Sequence, residues 1–102
     1  MEIVLSDKFR ERWDDYLDYC ALNYGKKMAE KKSQSMFKIL NGILAFPESN
    51  RIEPLLQNKD KVYRAVNFDK IFRIIYTVSE DEITIVNLWN TKMNPSKLKK
   101  DI

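Results

Sequence analysis

The sequence predicts an α+β domain, ordered β-α-α-β-β-β, in which an antiparallel sheet packs on a two-helix hairpin. Large apolar residues recur at helical spacing from Phe9 to Leu44, and from Val62 to Trp89 they alternate with period two. Gly25 and Pro47 stand where the helical stretches end, and Pro54 lies between them and the alternating stretch. Helices first and strands afterwards is the mark of segregated layers, not of repeated β-α units.

The chain has 102 residues and reads as one domain over 1–102, closed by a basic tail at 96–102. A domain of this size buries roughly 60–70% of its unfolded surface, enough for one modest core. With 44% hydrophobic and 12% aromatic residues it carries too many core formers to be disordered.

Ile3, Val4 and Leu5 form a short first strand that ends at Ser6, a good N-cap, with Asp7 in the first turn of a helix. Phe9, Trp13, Tyr16, Leu17, Cys20 and Tyr24 then trace one helical face. Gly25 supplies the positive φ of a helix end. A second helix places Met28, Met36, Ile39, Leu40, Ile43 and Leu44 inward and stops before Pro47. The helices span about 18 and about 20 residues, longer than the usual ~10–14, and their short connection makes them antiparallel neighbours. Gly42 inside the second helix is unfavourable, and close packing against the sheet is the expected reason.

Residues 48 to 60 read as a loop. Beyond it, Val62, Arg64, Val66 and Phe68 share one side of a strand, and strands follow over Ile71–Val78 and Ile83–Trp89. Asp69-Lys70 and Ser79-Glu80-Asp81 supply the turns of a meander. Phe72, Ile74, Tyr76 and Val78 fall on one face of the middle strand. Ile71, Arg73, Ile75 and Thr77 fall on the other, a mixed face expected to stay open for a ligand or partner. The tail from Ser96 to Ile102 is expected as a short helix or a mobile end, its lysines solvated.

Several function classes are disfavoured at once. One cysteine, Cys20, and no histidine leave no zinc or haem ligand set, so neither a metal nor another cofactor is expected. Cys20 shares the apolar helix face and is expected to be buried. Asp14 and Asp18, one turn apart beside Asp15 and with Arg10 a turn earlier, read as a solvated helix face. The start lacks the pattern of a signal peptide, and no apolar run approaches the ~20 residues of a membrane span, which points to a cytoplasmic protein with no membrane partner. Net charge is +3, and residues 51–102 hold 10 basic and 7 acidic side chains against 8 and 8 in residues 1–50. An acidic partner or nucleic acid would therefore meet the second half.

Three segments carry a resemblance to a known family: Tyr63-Arg64, Phe72-Arg73-Ile74-Ile75-Tyr76, and the run from Ile85 through Trp89-Asn90-Thr91-Lys92-Met93-Asn94-Pro95. In order and spacing, behind a helix hairpin, they resemble the strand motifs of the RelE/ParE toxins of bacterial type II toxin–antitoxin systems, over residues 3 to 95. One branch of that family ends its last strand in Asp-Thr-Arg-Gln-Asn-Pro, where this chain has Asn-Thr-Lys-Met-Asn-Pro.

The resemblance implies a growth inhibitor of the plasmid-stabilisation or stress type, held silent by a cognate antitoxin laid against its helices and sheet. ParE-like members poison DNA gyrase. RelE-like members are ribosome-dependent mRNA endoribonucleases, cutting messages without a metal. That cleavage needs a base for the ribose 2′-hydroxyl, cations for the phosphate and an acid for the leaving oxygen. Arg64 and Arg73 fall at two of the family's basic positions and Lys92 near a third, so these three are the catalytic or target-binding candidates. Tyr63, Tyr76, Trp89, Asn90 and Asn94 accompany them in the motifs as secondary candidates.

Two departures tilt the reading toward the ParE-like branch and away from an enzyme. Val66 stands where the ribosomal nucleases usually carry lysine, and no tyrosine follows Lys92. Arginine stays protonated and is a poor base. The nuclease remains the alternative, using the same surface, and a non-toxic RNA-binding or adaptor domain is a third reading, since a fold does not fix a function. Each candidate also has a structural role open to it. Arg64 can pair with a helix carboxylate, Arg73 must find solvent or a partner from mid-sheet, and Trp89 can serve the core or a docking face.

Overall fold

The computed structural model describes residues 1–57 and 60–102. Its elements are β1 (Glu2–Leu5), α1 (Asp7–Tyr24), α2 (Lys26–Ala45), a 3-10 turn at Pro54–Leu56, β2 (Arg64–Phe68), β3 (Phe72–Val78), β4 (Glu82–Asn90), a second 3-10 turn at Pro95–Lys97 and α3 (Leu98–Asp101). Residues 58 and 59 of the expected 48–60 loop lie outside the described residues.

Ser6 caps α1 as expected, its hydroxyl accepting the Phe9 N–H at 3.1 Å. The same hydroxyl donates to the Val86 carbonyl at 2.9 Å, so the cap also ties the helix start to β4. Gly25 takes φ 93°, gives its N–H to Ala21 and lets α2 start at the next residue. That one-residue joint sets the helices antiparallel.

The sheet has the order β1-β4-β3-β2. The β2-β3-β4 meander is antiparallel as expected, but β1 joins β4 in parallel, so the sheet is mixed and not wholly antiparallel. The reason is directional. The helix hairpin brings the chain back beside the start of β1, where Ala45 to Ser49 share a hollow with Met1 and Val78, and residues 51–53 then pair antiparallel along β2, Glu53 N–H to Tyr63 O at 2.7 Å and Ala65 N–H to Arg51 O at 3.0 Å. After that descent β2 runs the same way as β1, and two reversals make β4 do so too.

Register slips between Ile75 and Tyr76, where β4 contributes Val86 as an extra residue. The bulge moves the alternation by one step. Ile83 and Ile85 before it, and Leu88 after it, all reach the helix side, where they meet Phe9, Met36, Ile43, Ile74 and Tyr76 in the main core. Trp89 turns to the other side instead.

That other side is not the open surface expected. Leu56, Tyr63, Ile75, Trp89 and Leu98 form a second buried cluster on it, with Ile102 packed at its edge. The tail is accordingly folded down, not mobile. Leu98 is fully buried, and Asp101 receives Arg12 at 2.5 Å and Asn87 at 3.1 Å, with Lys8 reaching its carboxylate and carbonyl.

Four smaller expectations also fail. Tyr24, Leu44 and Val62 are exposed, the first two because they sit at the rims of their helices and Val62 because β2 starts only at Arg64. Gly42 does not touch the sheet: a side chain there would meet open space. Cys20 is buried as expected.

Candidate functional site

The main candidates do not form one site. Arg64 pairs in register with Tyr76 and Arg73 with Trp89. Tyr76 belongs to the main core and Trp89 to the second, so the two arginines project from opposite faces of the sheet. Lys92 lies in the exposed turn after β4.

Arg64 pairs with no helix carboxylate. Its Nη1 donates to the carbonyls of Asn50 at 2.7 Å and Glu48 at 3.2 Å, fastening the chain that leaves α2. Tyr76 does similar work, donating to the Pro47 carbonyl at 2.7 Å while Asn50 donates to it at 3.1 Å. Burial pushes the Tyr76 phenol up, against the Asn50 hydrogen bond and the nearby Arg64 charge, which favour the ionised form.

Arg73 finds its partner inside the protein. Its Nη1 lies 2.6 Å from Glu53 Oε1, and the Glu53 side chain is 0% exposed. The pair is single-pronged, leaving Glu53 Oε2 and Arg73 Nε without a hydrogen bond among the described residues. The sequence separates these two residues by a turn and a strand, and nothing in the pattern around Glu53 announced a buried carboxylate.

Among the secondary candidates, Tyr63 and Trp89 are core residues of the second cluster. Asn90 and Asn94 build the chain's exit from the sheet. Asn90 Oδ1 accepts the Lys92 N–H at 2.9 Å, and Asn94 Oδ1 accepts the Ser96 N–H at 3.1 Å as the cap of the turn at Pro95.

What this exit turn flanks is a cleft of about 550 Å³ between α1 and the adjoining ends of β3 and β4. Tyr16, Phe72, Leu88 and Trp89 give it apolar walls, Arg12 and Asp15 polar ones, and the half-exposed Tyr19 and Met93 form its lip. Beyond Met93 a shallower hollow continues past Lys97 and Lys100. The lysines of the tail are exposed, as expected, and two of them, Lys97 and Lys100, line this hollow. Lys92 itself makes no side-chain hydrogen bond or ion pair among the described residues.

The geometry at this end is held by Asp101. The Arg12 guanidinium keeps the Asp101 carboxyl down at about 2, helped by Asn87 and Lys8 and opposed by partial burial. The far wall is held by Asp69, in the β2–β3 turn. Partial burial pushes its carboxyl up, but hydrogen bonds from Lys32, at 2.5 Å, and from Tyr16 outweigh it and leave it below the usual range. Burial and the Asp69 carboxylate together push the Tyr16 phenol well up, so it stays a donor. Arg12, Tyr19 and Met93 were not singled out from the sequence, and Asp15 was read only as part of a solvated helix face; Arg12 and Tyr19 lie on helix faces that read as solvent, and Met93 was seen only as a motif letter.

Three comparisons with known proteins bear on this arrangement. Residues 3–95 match the family described as "ParE toxin of type II toxin-antitoxin system, parDE". No curated protein sequence matches the chain. Among solved structures, a chain of the chromosomal ParDE TA system from P. aeruginosa superposes with a TM-score of 0.71 at 16% identity, covering 88% of this chain and 95% of that one. At that identity the likeness speaks for the fold.

Proposed function

As the chain belongs to the ParE toxin family of type II toxin–antitoxin systems, we propose that it arrests growth by binding DNA gyrase, using the end of the molecule around the cleft, with Lys92 as the principal contact. Its silencing partner is a cognate antitoxin. The observation that carries the choice against messenger-RNA cleavage is the state of the two arginines. They point to opposite sides of the sheet, and each is engaged by the protein itself. This arrangement argues against a phosphate held between them, and Val66, at the position of the nucleases' lysine, packs against the main core.

Lys92, by contrast, is exposed and makes no side-chain hydrogen bond or ion pair among the described residues, and it stands in the turn between Asn90 and Met93, which line the cleft. Cationic side chains around an aromatic cleft suit a partner surface that offers carboxylates around an apolar anchor. The test is induced expression without antitoxin, with supercoiling and message integrity read in parallel. Inhibited supercoiling with intact messages is the expected outcome, abolished by Lys92→Ala at unchanged stability, within about 0.5 kcal/mol. Cleaved messages would replace the proposal with the nuclease, and growth without arrest would leave a binding domain on a toxin fold.

A further inference from the structure

The outward face of the helix hairpin carries a charge pattern that neither the cores nor the cleft uses. Along α1, Asp7, Glu11, Asp14 and Asp18 follow at steps of four, three and four, and Leu22 extends the row; all are exposed, Leu22 by 87%. Such steps keep residues on one stripe of a helix, here the stripe opposite Phe9, Trp13 and Cys20. Along α2, Lys27, Lys31, Gln34 and Lys38 repeat the same steps and are equally exposed. One helix therefore shows a row of carboxylates and its neighbour a row of ammonium groups. None of these side chains enters an ion pair among the described residues.

The rows are also in phase. Because the helices are antiparallel and joined at Gly25, residues equally far from Gly25 lie level. Asp18 is level with Lys31, and Glu11 with Lys38, each to within one residue, about 1.5 Å along the axis. By the same rule Leu22 lies level with the Lys27 stem, and Asp7 with Gly42, whose missing side chain serves no contact inside the subunit.

We propose that this face is a self-association surface, on which a second copy of the chain docks with its α1 over α2 of the first. A two-fold axis parallel to the helices exchanges them while keeping every residue at its height. It lays α1 antiparallel on the other copy's α2 and brings Glu11 to Lys38 and Asp18 to Lys31, each contact made twice. A two-fold axis across the helices would stack α1 on α1 and α2 on α2, carboxylates on carboxylates and lysines on lysines. Charge thus selects one of the two ways of closing a four-helix bundle. Gly42, and Ser35 a heptad before it, present little side chain at the levels of Asp7 and Asp14, so the facing helix can approach there. The surface is separate from the cleft and stands whether or not the chain acts on gyrase.

Sedimentation of the full-length chain, made by cell-free synthesis, tests this directly. A dimer is expected at about 50 mM salt, with its Kd at least tenfold weaker at about 500 mM, because the seam is charged and solvent-accessible. Glu11→Lys with Asp18→Lys, and separately Lys31→Glu with Lys38→Glu, should each give folded monomers. Mixed together, those two variants should form a one-to-one dimer, and all four substitutions in one chain should restore self-association. A wild-type monomer throughout, or a dimer indifferent to either reversal, overturns the proposal. So does failure of the two reversed variants to pair.

Discussion

On the helix side of the sheet, Phe9, Met36 and Ile43 come down from two long helices onto Ile74, Ile83 and Ile85. On the other side, Leu56 and Leu98 arrive singly from a 3-10 turn and a four-residue helix, and an ion pair, Arg73 with Glu53, lies among them. Both faces are covered, but by different means. The first is redundant: several side chains on each helix share the burial, and periodicity writes them into the sequence. The second depends on a few individual residues from segments too short to have a period.

The difference predicts where single changes hurt most. Glu53 is wholly buried and Arg73 is its only charged partner among the described residues, so Arg73→Ala strands a carboxylate in the protein. Breaking such a pair costs about 3–5 kcal/mol, a drop of at least 12 °C in midpoint for a domain of this size at ~4 °C per kcal/mol. Replacing both residues with leucine should recover most of it, because an apolar pair leaves nothing unsatisfied. Thermal melts of Arg73→Ala and of the double leucine variant decide this. A loss below about 1 kcal/mol for Arg73→Ala would mean that the ion pair does not hold this face. The same result matters for function, since an arrest lost in Arg73→Ala would report unfolding as readily as a missing contact.

Next in size, Leu98→Ala should cost about 2–4 kcal/mol. It should also differ in kind from Phe9→Ala on the other face. With only a short helix behind it, loss of Leu98 should raise hydrogen exchange first in residues 95–102 and at Trp89, while the β3–β4 ladder stays protected. Phe9→Ala should loosen the whole domain together. If both variants exchange uniformly, the second cluster is part of one cooperative unit and the distinction drawn between the faces is wrong.

The contrast between the faces also marks what could be read beforehand. Both long helices, the Ser6 cap, the Gly25 joint and the meander follow from local periodicity and turn chemistry, which act within a few residues. The parallel docking of β1, the Val86 bulge and the burial of Leu56 and Leu98 depend on residues far apart in the chain. Of the residues that line the cleft, Trp89 and Asn90 were named beforehand because they lie in adjacent motif positions. Arg12 and Asp101 were not, because their meeting joins the first helix to the last and neither has a local reason to be special.

That meeting gives the third prediction. The folded state holds Asp101 at about 2 from an ordinary 3.8. A depressed carboxyl stabilises the fold fully above its unfolded value, and the contribution fades as pH falls from about 4 toward 2. At ~1.4 kcal/mol per unit, reduced because the Asp101 side chain is 22% exposed, about 1–2 kcal/mol is at stake. Denaturation midpoints should therefore fall more steeply below pH ~4 in the wild type than in Asp101→Asn, which begins lower and stays flatter. Parallel acid limbs would show that α3 is held by Leu98 alone.

The smallest effect separates two residues under the same backbone strain. Asp69 and Lys70 both take positive φ, 53° and 66°, in the turn between β2 and β3. A left-handed residue with a Cβ costs roughly 1–2 kcal/mol, a cost glycine escapes. At Asp69 the side chain offsets it, because its carboxylate is held by Lys32 from α2 and Tyr16 from α1 and so fastens the turn to the helix face. At Lys70 the side chain is exposed and makes no hydrogen bond or ion pair among the described residues. Lys70→Gly should therefore raise stability by about 1 kcal/mol, and Asp69→Gly should lower it despite relieving the same strain. Urea titration of the two variants reads the signs. Two gains would mean that the Asp69 clasp is worth less than the strain it accompanies, and that the helix face of the sheet holds without it.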